Sequence, residues 1–316
     1  MVSFKKYVKS ICKSAYINNL PPDLFDETIP ISNSKLLFSR YVEVVEIENH
    51  NYCNRTCWFC PNSSINRHTS IKLLQPTVFE NIINDLTEID FRQTLVWSLY
   101  HEPLAHDSIF ERLRKARYKL PKASLVLFTN GDYLNREKLL KLEDIGLDHL
   151  IIDSYLPKIV DLCDTKIERI LGHIRRRTHL HVKEIGLFKY AVHDSPINII
   201  LQIQVFNESN VSSRGGLINV PIYDEYKRSA ICIEPIRHVV IDFRGRCMLC
   251  CQTHSDSLNH KNAIVGDLNK PDYTIFHYYR DLALFRRKLV GKGLKPGVCM
   301  NCNVDNCVSD KFARRE

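Results

Sequence analysis

Three cysteines, Cys53, Cys57 and Cys60, stand in the pattern C-x3-C-x2-C, with Phe59 just before the last and Pro61 just after. No other feature constrains the chain as much. Three thiolates on one tight loop can ligate three irons of a cubane iron–sulfur cluster and leave the fourth iron open for a ligand. A structural zinc site would need a fourth protein ligand instead. His50 and His68 are near enough in sequence to supply one, so zinc stays as the alternative at this point.

The chain has 316 residues and 12 cysteines, most of them in two groups. Small secreted proteins use many cysteines as disulfides, but a long chain with bunched cysteines points to metal. The lysines of residues 1–20 are not followed by an apolar core, which argues against a secretory leader and for a cytoplasmic protein. No stretch is apolar enough to cross a membrane. Net charge is +8, read as a solvated basic surface rather than a nucleic-acid site, because basic and aromatic residues do not interleave.

Patterning predicts strands alternating with helices. Residues 41–48 alternate apolar and acidic side chains, as a strand does. Further strands are expected at 94–100, 124–128, 149–152 and 197–206, with helices at 76–86, 107–119, 136–144 and 167–177. This order predicts an α/β fold with a parallel sheet, a partial (β/α)6 TIM-like barrel. Residues 1–40 read as an N-terminal lead-in, 41–228 as the barrel, and 229–316 as a small cysteine-rich C-terminal domain with a basic helix at 279–290.

The cysteine motif, its place after the first strand, and the segments that follow resemble the radical S-adenosylmethionine (SAM) superfamily. The resemblance implies a [4Fe–4S] cluster on Cys53, Cys57 and Cys60 whose open iron binds SAM. It implies cleavage of SAM to a 5′-deoxyadenosyl radical that removes hydrogen from a substrate. Tyr100-His101-Glu102-Pro103 is similar to the family's Gly-Gly-Glu-Pro segment, with Glu102 and Pro103 matching and the two glycines replaced. By the same resemblance Thr129, Asn130 and Ser154 are cofactor-binding candidates. A reducing partner such as flavodoxin or ferredoxin is implied as well.

The C-terminal cysteines resemble the SPASM/twitch extensions that hold auxiliary clusters. Cys232, Cys250, Cys299 and Cys302 suit one auxiliary [4Fe–4S] cluster, as in twitch-bearing members that oxidise an aminocyclitol alcohol. Four soft thiolates also suit zinc. Cys247, Cys251 and Cys307 are then spare, with Cys251 and Cys307 the candidate hydrogen donors, and Arg214, in Ser-Ser-Arg-Gly-Gly, is a candidate substrate ligand. Cys12 and Cys163 read as structural.

The leading functional expectation is oxidation of a sugar, aminocyclitol or similar metabolite to a ketone through the auxiliary cluster. The alternatives are an epimerase with a cysteine hydrogen donor, a peptide-modifying maturase, and a zinc-bound structural or nucleic-acid-binding protein.

Overall fold

The computed structural model describes residues 16–156 and 163–304. Ten strands form one open sheet in the order β10-β9-β8-β1-β2-β3-β4-β7-β6-β5. Its centre is parallel: β8 (His238–Ile241), β1 (Val44–Ile47), β2 (Thr94–Trp97), β3 (Ser124–Thr129), β4 (His149–Leu156) and β7 (Asn198–Val205). Helices α2 (Pro76–Glu88), α3 (Ser108–Lys119), α4 (Arg136–Ile145) and α5 (Asp164–Thr178) make the crossovers between β1 and β7. Their boundaries follow local chemistry. Pro76 opens α2, and Asn135 caps α4 by accepting the Lys138 N–H at 2.8 Å. Gly146 ends that helix at φ 78°.

The α/β expectation holds, with six parallel strands at the centre. The sixth is β8, which comes from beyond residue 228 and pairs with β1 through Glu46↔Val240 and Ile47↔Ile241. The sheet therefore continues across the boundary expected at 228/229. Antiparallel β9 (Arg246–Met248) and β10 (Ile264–Asp267) extend it on that side. On the other side a hairpin, β5 (Val182–Gly186) and β6 (Lys189–Val192), adds to β7.

The two faces of the sheet differ. Val45, Ile47, Leu95, Trp97, Leu125, Leu127, Leu150, Ile152, Ile199 and Leu201 are buried under the helices in one core. The alternate residues face the other way and include Glu46, Ser98, Asp153, Gln202, Gln204 and His238. This inner face sets polar side chains among apolar ones such as Val96 and Val240, where packing alone would favour apolar residues throughout.

Residues ahead of β1 are more than a lead-in. Phe38, on α1 (Ile31–Tyr41), packs edge-on against Phe276 and Tyr279 at 5.5 and 5.3 Å between ring centroids. Both partners lie on α7 (Ile275–Asp281), which follows the four-residue α6 (Glu234–Arg237) and precedes α8 (Ala283–Val290). Ser34 also donates to the Phe276 carbonyl at 2.7 Å. The basic helix expected at 279–290 is thus two helices meeting at Leu282.

Candidate active site

The cysteine loop leaves the end of β1 and is fixed to the ends of the next two strands. Glu102 N–H donates to the Tyr52 carbonyl at 2.9 Å, and the Asn62 amide donates to the Tyr100 carbonyl at 2.9 Å. Arg55 and Asn54 both donate to Asp132, beyond the end of β3. A turn from Cys60 N–H to the Cys57 carbonyl (2.9 Å) sets the spacing of the last two thiols.

Apolar cover surrounds those thiols. Phe59 stacks on Phe206 at 4.0 Å and lies 4.9 Å from the Tyr155 ring. Phe59, Val211, Ile218 and Val220 form a separate buried cluster, and Cys57 and Cys60 pack on it. Burial pushes the Cys53 thiol up to about 12 and the Cys57 thiol up to about 11, so binding iron there displaces protons.

This donor set fits an iron–sulfur cluster better than one ion. Zinc–sulfur bonds of about 2.3 Å put two thiolates within about 4.6 Å of each other. Among the described residues, the three loop thiols form no ligand group within 4.8 Å. Neither histidine completes a zinc site. His50 is buried, accepts the Tyr52 N–H at Nδ1 (3.1 Å) and packs edge-on against His101 at 4.8 Å. His68 is exposed.

Glu102 does not extend its carboxylate into open space. It accepts from the Thr129 hydroxyl (2.6 Å), the Asn130 N–H (2.7 Å) and the Leu104 N–H (3.1 Å). Burial still raises its carboxyl to about 7, since those donors only partly replace water. The residue therefore joins the ends of β2 and β3, and Thr129 and Asn130 are its partners. Pro103 opens the short turn behind it. Leu99, just before this segment, takes φ 86°, a left-handed conformation that costs free energy for leucine. Gly131 (φ 81°) ends the β3 turn where a Cβ would lie 3.1 Å from Ile152.

Asp153 and Ser154, near the end of β4, lie on opposite faces of the sheet. Ser154 shares a face with Ile152 and Leu156, on the helix side. Asp153 is the residue on the inner face, taking a hydrogen bond from Gln204 at 2.6 Å. Burial raises the Asp153 carboxyl to about 6.

The second cysteine group converges from three segments. Cys232 lies before α6, Cys250 after β9, and Cys299 and Cys302 on one 3-10 turn joined by a 3.2 Å backbone bond. The four thiols are near enough to raise one another's proton affinity, in addition to the larger effect of burial. Arg228 is buried beside them and donates to Cys302 Sγ at 3.8 Å. Lys295 is buried nearby as well. Cations at this position suit a negatively charged thiolate cluster. Cys307 and Cys12 lie outside the described residues. Cys163 is exposed ahead of α5, and Cys247 is fully buried on β9.

Between the two cysteine groups stands Arg214. It takes φ 48°, before Gly215 and Gly216 at 63° and 92°. Its guanidinium lies over the Tyr100 ring at 5.7 Å and donates to the Cys251 carbonyl at 3.4 Å. Tyr100 donates to the same carbonyl at 3.0 Å.

Beside it stands Cys251, a candidate from the sequence, with two partners that sequence reasoning missed, Glu46 and His238. Glu46, His238 and Cys251 place a carboxylate oxygen, a ring nitrogen and a thiol within 4.8 Å of one another on the inner face. The three are far apart in the chain, and no spacing rule connects them. The signal available was the acidic residue on a central strand.

Four similarities bear on this geometry. The Radical SAM superfamily model matches residues 48–170. The S-adenosyl-L-methionine-dependent 2-deoxy-scyllo-inosamine dehydrogenase of Niallia circulans is 22% identical over 262 residues, 82% of this chain and 92% of that protein. The crystal structure of BtrN in complex with AdoMet and 2-DOIA superposes with a TM-score of 0.57 at 19% identity, over 83% of this chain and 93% of that one. An open conformation of BtrN gives 0.54 at 18%, over 83% and 92%. The matched span begins at β1's end and holds all three loop cysteines, the Glu102–Asn130 link and Asp153. No described helix is long and apolar enough to cross a membrane. Residues 48–170 thus match the Radical SAM superfamily, whose members use a [4Fe–4S] cluster and S-adenosylmethionine, and the fold is that of BtrN.

Proposed function

We propose that the enzyme oxidises a carbinol carbon of a sugar, aminocyclitol or similar hydroxylated metabolite to a ketone. Cys232, Cys250, Cys299 and Cys302 would hold an auxiliary cluster able to receive the second electron. The observation that carries this reading is the polar inner face. Glu46, Ser98, Asp153, Gln202, Gln204 and His238 offer donors and acceptors suited to several hydroxyls. The similarity to an aminocyclitol dehydrogenase over most of both chains supports it.

When bound, the loop cluster and SAM supply a hydrogen-atom abstractor. Cys53, Cys57 and Cys60 hold that cluster, and the Phe59–Phe206 cover keeps water from it. The backbone of residues 100–102 and the ends of β3 and β4 hold SAM, with Glu102 locking the strand ends in place. Arg214 orients a substrate oxygen with its unpartnered Nε. A small reducing protein of the flavodoxin or ferredoxin kind supplies the first electron. The 41–228 and 229–316 segments divide these tasks between cleavage and electron acceptance.

Epimerisation is the second reading, favoured because Cys251 stands on the inner face beside Glu46 and His238. Turnover in heavy water separates the two. Oxidation predicts a ketone with no deuterium gained at carbon. Deuterium at a retained carbinol carbon would reject oxidation in favour of epimerisation.

A further inference from the structure

Glu46 sits at the centre of β1 on the inner face, only 5% exposed. One carboxylate oxygen takes the Ser98 hydroxyl. The other lies 3.0 Å from His238 Nε2. The opposite ring nitrogen of His238 lies 3.6 Å from Glu234, at the start of α6. Cys251 Sγ completes the group, and among the described residues no other three ligand-type atoms gather so closely.

A bare structural role explains this poorly. The backbone ladder already joins β1 to β8 over four residue pairs. Neighbouring inner-face positions are apolar, as at Val96 and Val240. A buried ion pair in place of such residues is not a stabilising device in general. Glu46 Oε2 and His238 Nε2 also lack a well-aligned hydrogen bond despite their closeness, which leaves an acceptor lone pair for a third group.

We propose that Glu46 is the base that takes the hydroxyl proton of the substrate, and that His238 is the residue that positions it. The assignment rests on the oxidation reading above. The carbinol C–H hydrogen leaves as an atom to the SAM-derived abstractor. The O–H proton goes to Glu46 Oε2. The remaining electron passes to an iron–sulfur acceptor, and the C=O bond forms. His238 is set for its part: burial opposes its charge, but Cys251, Glu234 and Glu46 together hold its proton well above the usual range. The ring thereby holds the Glu46 carboxylate in place, with Nε2 3.0 Å from Oε2. Arg214 is close enough to feel the Glu46 charge.

The test uses full-length enzyme, SAM and 2-deoxy-scyllo-inosamine deuterated at its carbinol carbons, with two products measured. Deuterium carried into 5′-deoxyadenosine reports hydrogen abstraction, and ketone reports completion. For Glu46→Gln we expect abstraction to stay within about threefold of wild type while ketone falls by roughly 10² to 10⁴. His238→Gln should show the same uncoupling at smaller amplitude, with iron content unchanged in both. Equal loss of abstraction and ketone, or ketone at the wild-type rate, would overturn the assignment. So would one zinc per chain that disappears in Glu46→Gln, since carboxylate, imidazole and thiolate are also zinc donors. Wild-type enzyme that abstracts deuterium yet makes no ketone rejects the oxidation reading, and this assignment with it.

Discussion

Arg55 grips Asp132 through two hydrogen bonds, Nε to Oδ2 at 2.7 Å and a terminal nitrogen to Oδ1 at 2.6 Å. One pair thus ties the cysteine loop to the end of β3. Both side chains are about one-third exposed, so the pair is worth about 1 kcal/mol in global stability. Its larger effect is on the loop. Asp132→Ala should leave the urea midpoint nearly unchanged while the chain loses iron faster to a chelator.

Glu102 serves three donors at once, and its loss should register as instability. Glu102→Ala strands the Thr129 hydroxyl and the N–H groups of Asn130 and Leu104 in a buried site. We expect a loss of about 3 kcal/mol in chemical denaturation. Glu102→Gln should cost less, because near pH 7 the native carboxyl already holds a proton about half the time.

Asp153 gives a pH signature. Its carboxyl is raised to about 6 from 3.8, mainly by burial. The folded state then binds the proton more tightly than the unfolded state. Stability is lost as pH rises through that interval and stays lost above it. Asp153→Asn removes this term. The variant should match wild type near pH 4 and exceed it at pH 7.5 by up to roughly 2 to 3 kcal/mol. Urea unfolding at both values measures the gap. An equal gap at both would reject burial as the cause.

Much of this was legible in sequence for physical reasons. Strands β2, β3, β4 and β7 show apolar residues at alternate positions because one face is buried under the helices, and those helices carry one-sided apolar patterns. The β5–β6 hairpin was not legible. Lys183, Glu184 and Gly186 leave it mostly exposed, so no buried stripe marks it. In residues 41–48 the alternation marked the strand but not the fate of its acidic residues: Glu48 is fully buried against Arg67 at 3.0 Å. The Cys53, Cys57 and Cys60 motif is local and readable. The Glu46–His238–Cys251 group arises only when β8 returns beside β1.

Arg214 should show its part in the balance of kinetic constants. Lysine keeps the charge but loses the planar fork. We expect Arg214→Lys to raise the substrate KM about tenfold with little change in SAM cleavage. A KM equal to wild type would remove Arg214 from the substrate's surroundings.

The most direct test of the account is the iron and labile sulfide content per chain after anaerobic reconstitution, in wild type and in Cys57→Ala. Two [4Fe–4S] clusters predict about eight irons and eight sulfides in wild type, falling to about four of each in the variant. An iron content that Cys57→Ala leaves unchanged, or zinc in place of iron, would contradict the assignment of the loop cysteines.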